Sequence, residues 1–239
     1  MPEDQSKIQE TLQSLSRLGE FRENQPSAAL HALEPGLVLL RTWQSQRLAQ
    51  TYTDLLAHSR YAPACRFFLS DVYAARDFSQ RDHDILYLYQ VMSRFVPDFM
   101  LKLIRSVIEL NNLSADLDHA LLHVLVEELG VVDAITPQQY AAGYRICDNY
   151  TERVHQIEMI VSIGQQIDRT VRLPLVGATL RLARRPAHSA GWGELQDFLE
   201  RGYAAFKHMG RASIFLKTIQ QREMRILDDI FAGKTDPFR

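Results

Sequence analysis

The chain has 239 residues, 46% hydrophobic and 23% charged, which is enough to bury a substantial core in a single domain over residues 1–239. Its 27 basic and 29 acidic side chains leave a net charge of -2, so no overall positive field favours nucleic acid or an anionic membrane. The only two cysteines, Cys65 and Cys147, form no disulfide framework or zinc motif. The sequence lacks a secretory signal and a long apolar run. We therefore expect a cytoplasmic protein without membrane insertion.

Apolar residues recur at intervals of three and four along the chain, and this period predicts an all-α fold. A loosely docked first helix is expected within residues 1–20. Pro35 should interrupt the next helical segment, which then resumes and continues to Leu55. Pro63 is placed to open a further short helix that reaches Tyr73.

Two long helices are predicted in the middle of the chain. A four-three apolar rhythm from Asp98 to about Glu128 predicts a central helix. The segment Thr136-Pro137-Gln138-Gln139 combines an N-cap residue, a first-turn proline and a capping-box glutamine, so it predicts the start of the second long helix. If that helix continues unbroken to Val171, it spans about 50 Å at a rise of about 1.5 Å per residue.

In the last third of the chain, Pro174 and Pro186 are expected to bracket a short helix over residues 175–184. Two further helices should end at Gly210 and Gly233. Their short connection predicts an antiparallel arrangement. The expected architecture is a compact multi-helix bundle of about eight or nine helices with a C-terminal helical hairpin.

One stretch, Phe67-Phe68-Leu69-Ser70-Asp71-Val72-Tyr73, stands out and is followed by a turn crowded with charges. It resembles the signature of the bacterial FFLEELY-motif proteins, from which residues 70–72 depart, and the resemblance implies no established activity. We expect the aromatic rings to pack against the central helix while Asp71 and Asp77 pair with Arg76 or Arg81. Alternatively, the region is an exposed functional surface. Its candidate binding residues are Phe67, Phe68, Asp71, Tyr73, Arg76, Asp77, Arg81 and Asp82.

A metal site is an alternative on the two long helices. Asp116 and His119 are three residues apart on the first, as are Glu152 and His155 on the second. Carboxylate and histidine at that spacing share a helix face, as in carboxylate-bridged di-iron bundles. However, Asp116 and His119 also belong to a continuous polar stripe typical of a solvated face. We therefore favour the absence of a metal or other cofactor.

Five arginines surround the apolar segment at residues 173–182: Arg169, Arg172, Arg181, Arg184 and Arg185. They could bind an anion, but their positions at helix ends also suit interactions with unsatisfied carbonyls. A cavity for an apolar molecule is a further alternative, lined by Trp43, Tyr87, Tyr89 and Trp192.

No nucleophile with an adjacent base and no phosphate-binding loop is evident in the sequence. The favoured hypothesis is therefore a non-catalytic cytoplasmic helical protein that acts through a protein partner or as a homodimer, with residues 67–84 as its functional surface. The alternatives are a ferritin-like di-iron oxidoreductase and a binder of an apolar small molecule.

Overall fold

The computed structural model describes residues 27–72, 98–189 and 193–238. Within these ranges the chain forms nine α-helices, two π-helical turns and no strand, which confirms the all-α multi-helix prediction. The helices are α1 (Ser27–Thr51), α2 (Thr53–Ala57), α3 (Ala62–Phe67), α4 (Asp98–His123), α5 (Pro137–Cys147), α6 (Tyr150–Thr170), α7 (Val176–Ser189), α8 (Gly193–Met209) and α9 (Ser213–Phe231). The predicted first helix lies outside the described residues.

Several predicted helix boundaries are confirmed because they depend on local hydrogen bonds. At the start of α5 the Thr136 hydroxyl accepts from the Gln139 backbone N–H, and the Gln139 side chain accepts from the Thr136 N–H. This reciprocal pair is the expected capping box. The central helix α4 continues through a π-helical turn, Val124–Glu128, and ends before Gly130, which adopts a φ of +63°.

Two predicted interruptions are wrong, and one helix break was not predicted. Helix α1 continues through Pro35, and α7 continues through Pro186 to Ser189. Each proline removes one backbone donor, but the flanking turns still hold the helical path. Conversely, the long helix predicted up to Val171 breaks at Asp148, whose φ of +48° is left-handed. Aspartate tolerates this conformation better than most residues, so α5 and α6 are separate helices.

The helices enclose two main hydrophobic clusters. The first joins α2, α3, α6, α8 and α9, and the rings of Tyr61, Phe206 and Phe215 lie at its centre. The second joins α1, α4 and α5, where Trp43 stacks on Tyr140 with ring centroids 3.9 Å apart. Helices α4 and α6 also pack against each other, and α9 packs against α6 and α5. Together these contacts form the bundle.

The last two helices have the predicted short connection, which Gly210 opens with a φ of +75°. Their main packing partners differ, however. Helix α8 packs against α7 and α3, whereas α9 packs against α6 and α5. The two helices meet around their connection, where Phe206, Ala212 and Phe215 share the first cluster. The last two helices therefore pack mainly on other helices and not along each other as in the predicted hairpin.

Candidate interaction surface

The aromatic pair of the signature stretch packs on the C-terminal helices. The Phe67 ring contacts Phe198 of α8 at a centroid distance of 5.3 Å. The Phe68 ring lies 6.1 Å from Phe206 of α8 and 6.3 Å from Phe215 of α9. Both rings are half-buried. They anchor the end of α3 to the first hydrophobic cluster.

The sequence predicted the central helix as the partner of these rings, and here the structure differs. In the described part of the chain, no buried member of the cluster that they join lies on α4. Gly202 gives the reason. A Cβ at Gly202 would lie 3.0 Å from Phe67 Cζ, so a residue without a side chain lets α8 approach the ring closely. A glycine inside a helix was the signal of this close approach.

Asp71 holds the same segment to α8 by charge. Its carboxylate is buried at 4% exposure, and Oδ1 accepts hydrogen bonds from Arg201 Nε at 2.9 Å and Nη2 at 2.6 Å. The Ser70 hydroxyl lies 2.8 Å from Asp71 Oδ2. The predicted partners Arg76 and Arg81 lie outside the described residues. So do the other predicted members of this surface, Tyr73, Asp77 and Asp82.

The four residues of the alternative metal site, Asp116, His119, Glu152 and His155, are all exposed. Asp116 and His119 therefore lie on a solvated part of the polar stripe of α4. Across residues 27–72, 98–189 and 193–238, no group of three or more His, Cys, Asp and Glu side chains could hold a metal ion.

The residues considered for an apolar cavity include Trp43, which is instead packed between Tyr140 and Phe238. Tyr87, Tyr89 and Trp192 lie outside the described residues. Burial raises the pKa of the Tyr140 phenol well above its usual value, so the phenol stays neutral in this contact. Trp43 therefore packs in the second hydrophobic cluster and does not line a cavity.

The buried arginines near this core were missed by the sequence analysis. Arg47 donates to both carboxylate oxygens of Glu223 at 2.7 and 2.8 Å, and the Tyr52 hydroxyl donates to the same group. Arg153, only 3% exposed, donates to the Leu117 carbonyl and lies over the Tyr144 ring. These contacts connect helices far apart in the chain, so no local pattern marks them.

The inner side of α7 is fastened to α8. The buried Gln196 of α8 donates to the Leu180 carbonyl at 2.7 Å, and Gly177 lies directly against the Tyr203 ring. Arg184 pairs with Glu200 at 2.7 Å. A shallow depression of about 410 Å³ lies at this junction, lined by Arg184, Asp197, Glu200, Arg201 and Ala204. Its charges are engaged in ion pairs, Arg184 with Asp197 and Glu200, and Arg201 with Asp71.

The opposite side of α7 faces solvent. Leu175, immediately before the helix, is 75% exposed, and Leu182 is 79% exposed. Seven residues separate them, which is two helical turns, so they lie on one side with the exposed Thr179 between them. Arg181 and Arg185 are exposed beside this strip. We call Leu175, Thr179, Leu182, Arg181 and Arg185 the α7 outer face.

The predicted arginine run thus divides into two groups. Arg172 donates to the Asp168 carbonyl and carboxylate, and Arg184 pairs with acidic residues of α8. Those two contacts are structural, as the helix-end interpretation predicted for Arg172. Arg181 donates through Nε to the Gly177 carbonyl at 3.2 Å, but its side chain and that of Arg185 remain exposed next to Leu182, and Arg169 is exposed as well. The sequence signal for this surface was the seven-residue spacing of Leu175 and Leu182, just before and within a helix that contains no Asp or Glu.

No helix in the described ranges is long and apolar enough to cross a membrane. Comparison with curated proteins and with solved structures finds no match. A protein family described as a domain of unknown function, DUF8198, matches residues 23–237. This match spans all nine helices described above, and the chain belongs to that family.

Proposed function

We propose that this protein is a non-catalytic cytoplasmic protein that acts through protein contacts, and that the α7 outer face is its binding surface. The observation that supports this most is the exposure of Leu175 and Leu182 on one side of a helix. Single exposed leucines are ordinary, but two large apolar side chains in register beside cations suit a protein interface. Arginine is among the residues enriched at such interfaces.

The signature stretch is a weaker candidate for this role in its described part. Phe67 and Phe68 are already packed on α8 and α9, and Asp71 is buried against Arg201. A partner would have to displace these contacts to reach the side chains. The α7 outer face requires no such displacement, because its leucines already face solvent.

The chemistry of the α7 outer face indicates the kind of partner. Leucines favour apolar side chains, and Arg181 and Arg185 favour carboxylates around them. Helix α7 contains no acidic residue to compensate its arginines. A protein segment with exposed apolar side chains and flanking Asp or Glu meets both requirements. The net charge of -2 for the whole chain makes a nucleic-acid partner less favourable.

The test replaces both leucines by aspartate in the full chain, Leu175→Asp with Leu182→Asp. Proteins that copurify with the wild type are identified by mass spectrometry, purified, and titrated against each variant. We expect the double variant to lose binding, because a buried carboxylate without a partner opposes association. Circular dichroism should be unchanged, since neither leucine contributes to the core.

The control is Ile214→Asp, which introduces one aspartate, against two in the double variant, at a 62% exposed apolar position at the start of α9. It should bind like the wild type. Equal binding by the leucine double variant and the wild type would exclude the α7 outer face as the interface. Loss of binding in both variants would indicate a general charge effect instead.

A further inference from the structure

A second exposed surface of this chain is complementary in charge to the α7 outer face. It lies where α4 ends, over residues 126–133. Val132 is 79% exposed and Val126 is also exposed. The acidic side chains of the segment are exposed as well, namely Glu127, Glu128 and Asp133. The segment contains no basic residue. We call residues 126–133 the acidic edge.

The backbone holds the acidic edge in place. The Val131 N–H donates to the Leu125 carbonyl at 2.9 Å across the turn at Gly130. Val131 itself is buried in the second hydrophobic cluster, which leaves the neighbouring Val132 pointing to solvent. The edge is therefore an ordered surface that exposes both apolar and acidic side chains, and it needs little rearrangement to bind.

We infer that the partner of the α7 outer face is the acidic edge of a second copy of this chain. The inference rests on the proposed function, since it uses the same binding face. Leucines meet valines, and Arg181 and Arg185 meet Glu127 and Asp133. Each surface supplies what the other lacks, which is the condition for a specific contact between unlike patches.

The two surfaces lie on different parts of one chain, so the contact is made between unlike patches. Two copies can make this contact twice, with the α7 outer face of each bound to the acidic edge of the other, and they then form a closed dimer. Otherwise each copy binds the next one, and the chains form an open assembly. Both arrangements give a particle of at least twice the 27.5 kDa of the single chain. The ion pairs are exposed at the rim, so salt should weaken the assembly.

The test uses charge reversal in the full chain. The first variant carries Arg181→Glu and Arg185→Glu, and the second carries Glu127→Lys and Asp133→Lys. In each variant alone the two surfaces have the same sign and should repel. When the variants are mixed, the acidic α7 outer face of the first meets the basic edge of the second, and the unmodified surfaces also match.

We expect sedimentation equilibrium to show self-association of the wild type and a loss of at least about tenfold in affinity for each variant alone. The equimolar mixture should recover wild-type association. The control, Lys217→Glu with Arg225→Glu, reverses two exposed charges of α9 and should assemble like the wild type. Circular dichroism establishes that each variant is folded.

Two results would overturn the inference. One is a wild type that remains at the mass of a single chain over the whole concentration series. The other is association that neither variant changes, or that the mixture does not restore. If the wild type is monomeric but the leucine double variant still loses another protein partner, the proposed function stands and only the choice of a second copy fails.

Discussion

The signature stretch and the α7 outer face both place large apolar side chains beside charged ones, yet the fold uses them differently. In the signature stretch, Phe67 and Phe68 join a hydrophobic cluster and Asp71 is buried against Arg201. On α7, Leu175 and Leu182 lie outside every cluster and remain mostly exposed. A conspicuous sequence motif can thus be structural, while an inconspicuous helix offers the accessible surface.

The largest difference should appear in stability. Phe68→Ala removes a ring packed against Phe206 and Phe215, so the variant should lose about 3 kcal/mol of unfolding free energy. Urea denaturation followed by circular dichroism measures this loss. A reduction below about 1 kcal/mol would mean that the ring contributes little to the core and would break the contrast with α7.

The thiol of Cys65 reports on the same cluster. Burial raises its pKa from 9.0 to about 11, so the native thiol stays neutral. The contribution of the neutral Cys65 thiol to the stability of the fold is complete below pH 9 and is lost as the pH rises toward 11. At pH 8 the native thiolate population should be roughly a hundredfold below that of the unfolded chain, and alkylation correspondingly slow. Mass spectrometry of labelled peptides measures the rate.

Phe68→Ala should accelerate that alkylation, because it loosens the cluster that contains Cys65. Leu182→Ala should leave it unchanged, since Leu182 belongs to no part of that cluster. Rapid labelling of Cys65 in the wild-type protein would contradict the packing described for the signature stretch and the first hydrophobic cluster.

A smaller effect is expected from the charge that anchors the signature stretch. Asp71→Asn retains the shape of the side chain but removes the ion pair with Arg201, so it should destabilise the fold by about 2 kcal/mol. The matched control is Asp197→Asn, whose pairing with Arg184 and His188 is exposed. It should cost less than about 1 kcal/mol. Equal losses in thermal unfolding would show that burial of Asp71 confers no advantage.

The smallest effect should come from the α7 outer face itself. Leu182→Ser changes a side chain that is already in water, so the unfolding free energy of the single chain should stay within about 0.5 kcal/mol. Denaturation at low protein concentration measures it, because association would otherwise add stability. A loss comparable to that of Phe68→Ala would mean that Leu182 is part of the core.

Much of the local structure could be predicted because it depends on neighbouring residues. The capping box at Thr136, the end of the central helix before Gly130 and the all-α class follow from interactions within a few residues. The errors at Pro35 and Asp148 arose because those predictions also used neighbouring residues alone. A proline or an aspartate shifts the local balance by a few kcal/mol, and packing elsewhere in the bundle decides the outcome.

By itself the sequence determined that helices form, where several of them begin and end, and which residues prefer burial, since these properties follow from hydrogen bonds and apolar periodicity along the chain. Only the tertiary structure decided that Phe67 meets Gly202, that Asp71 meets Arg201, and that Leu182 faces solvent. An apolar face indicates that a helix packs against something. The identity of that partner depends on contacts between residues more than a hundred positions apart, which no local period encodes.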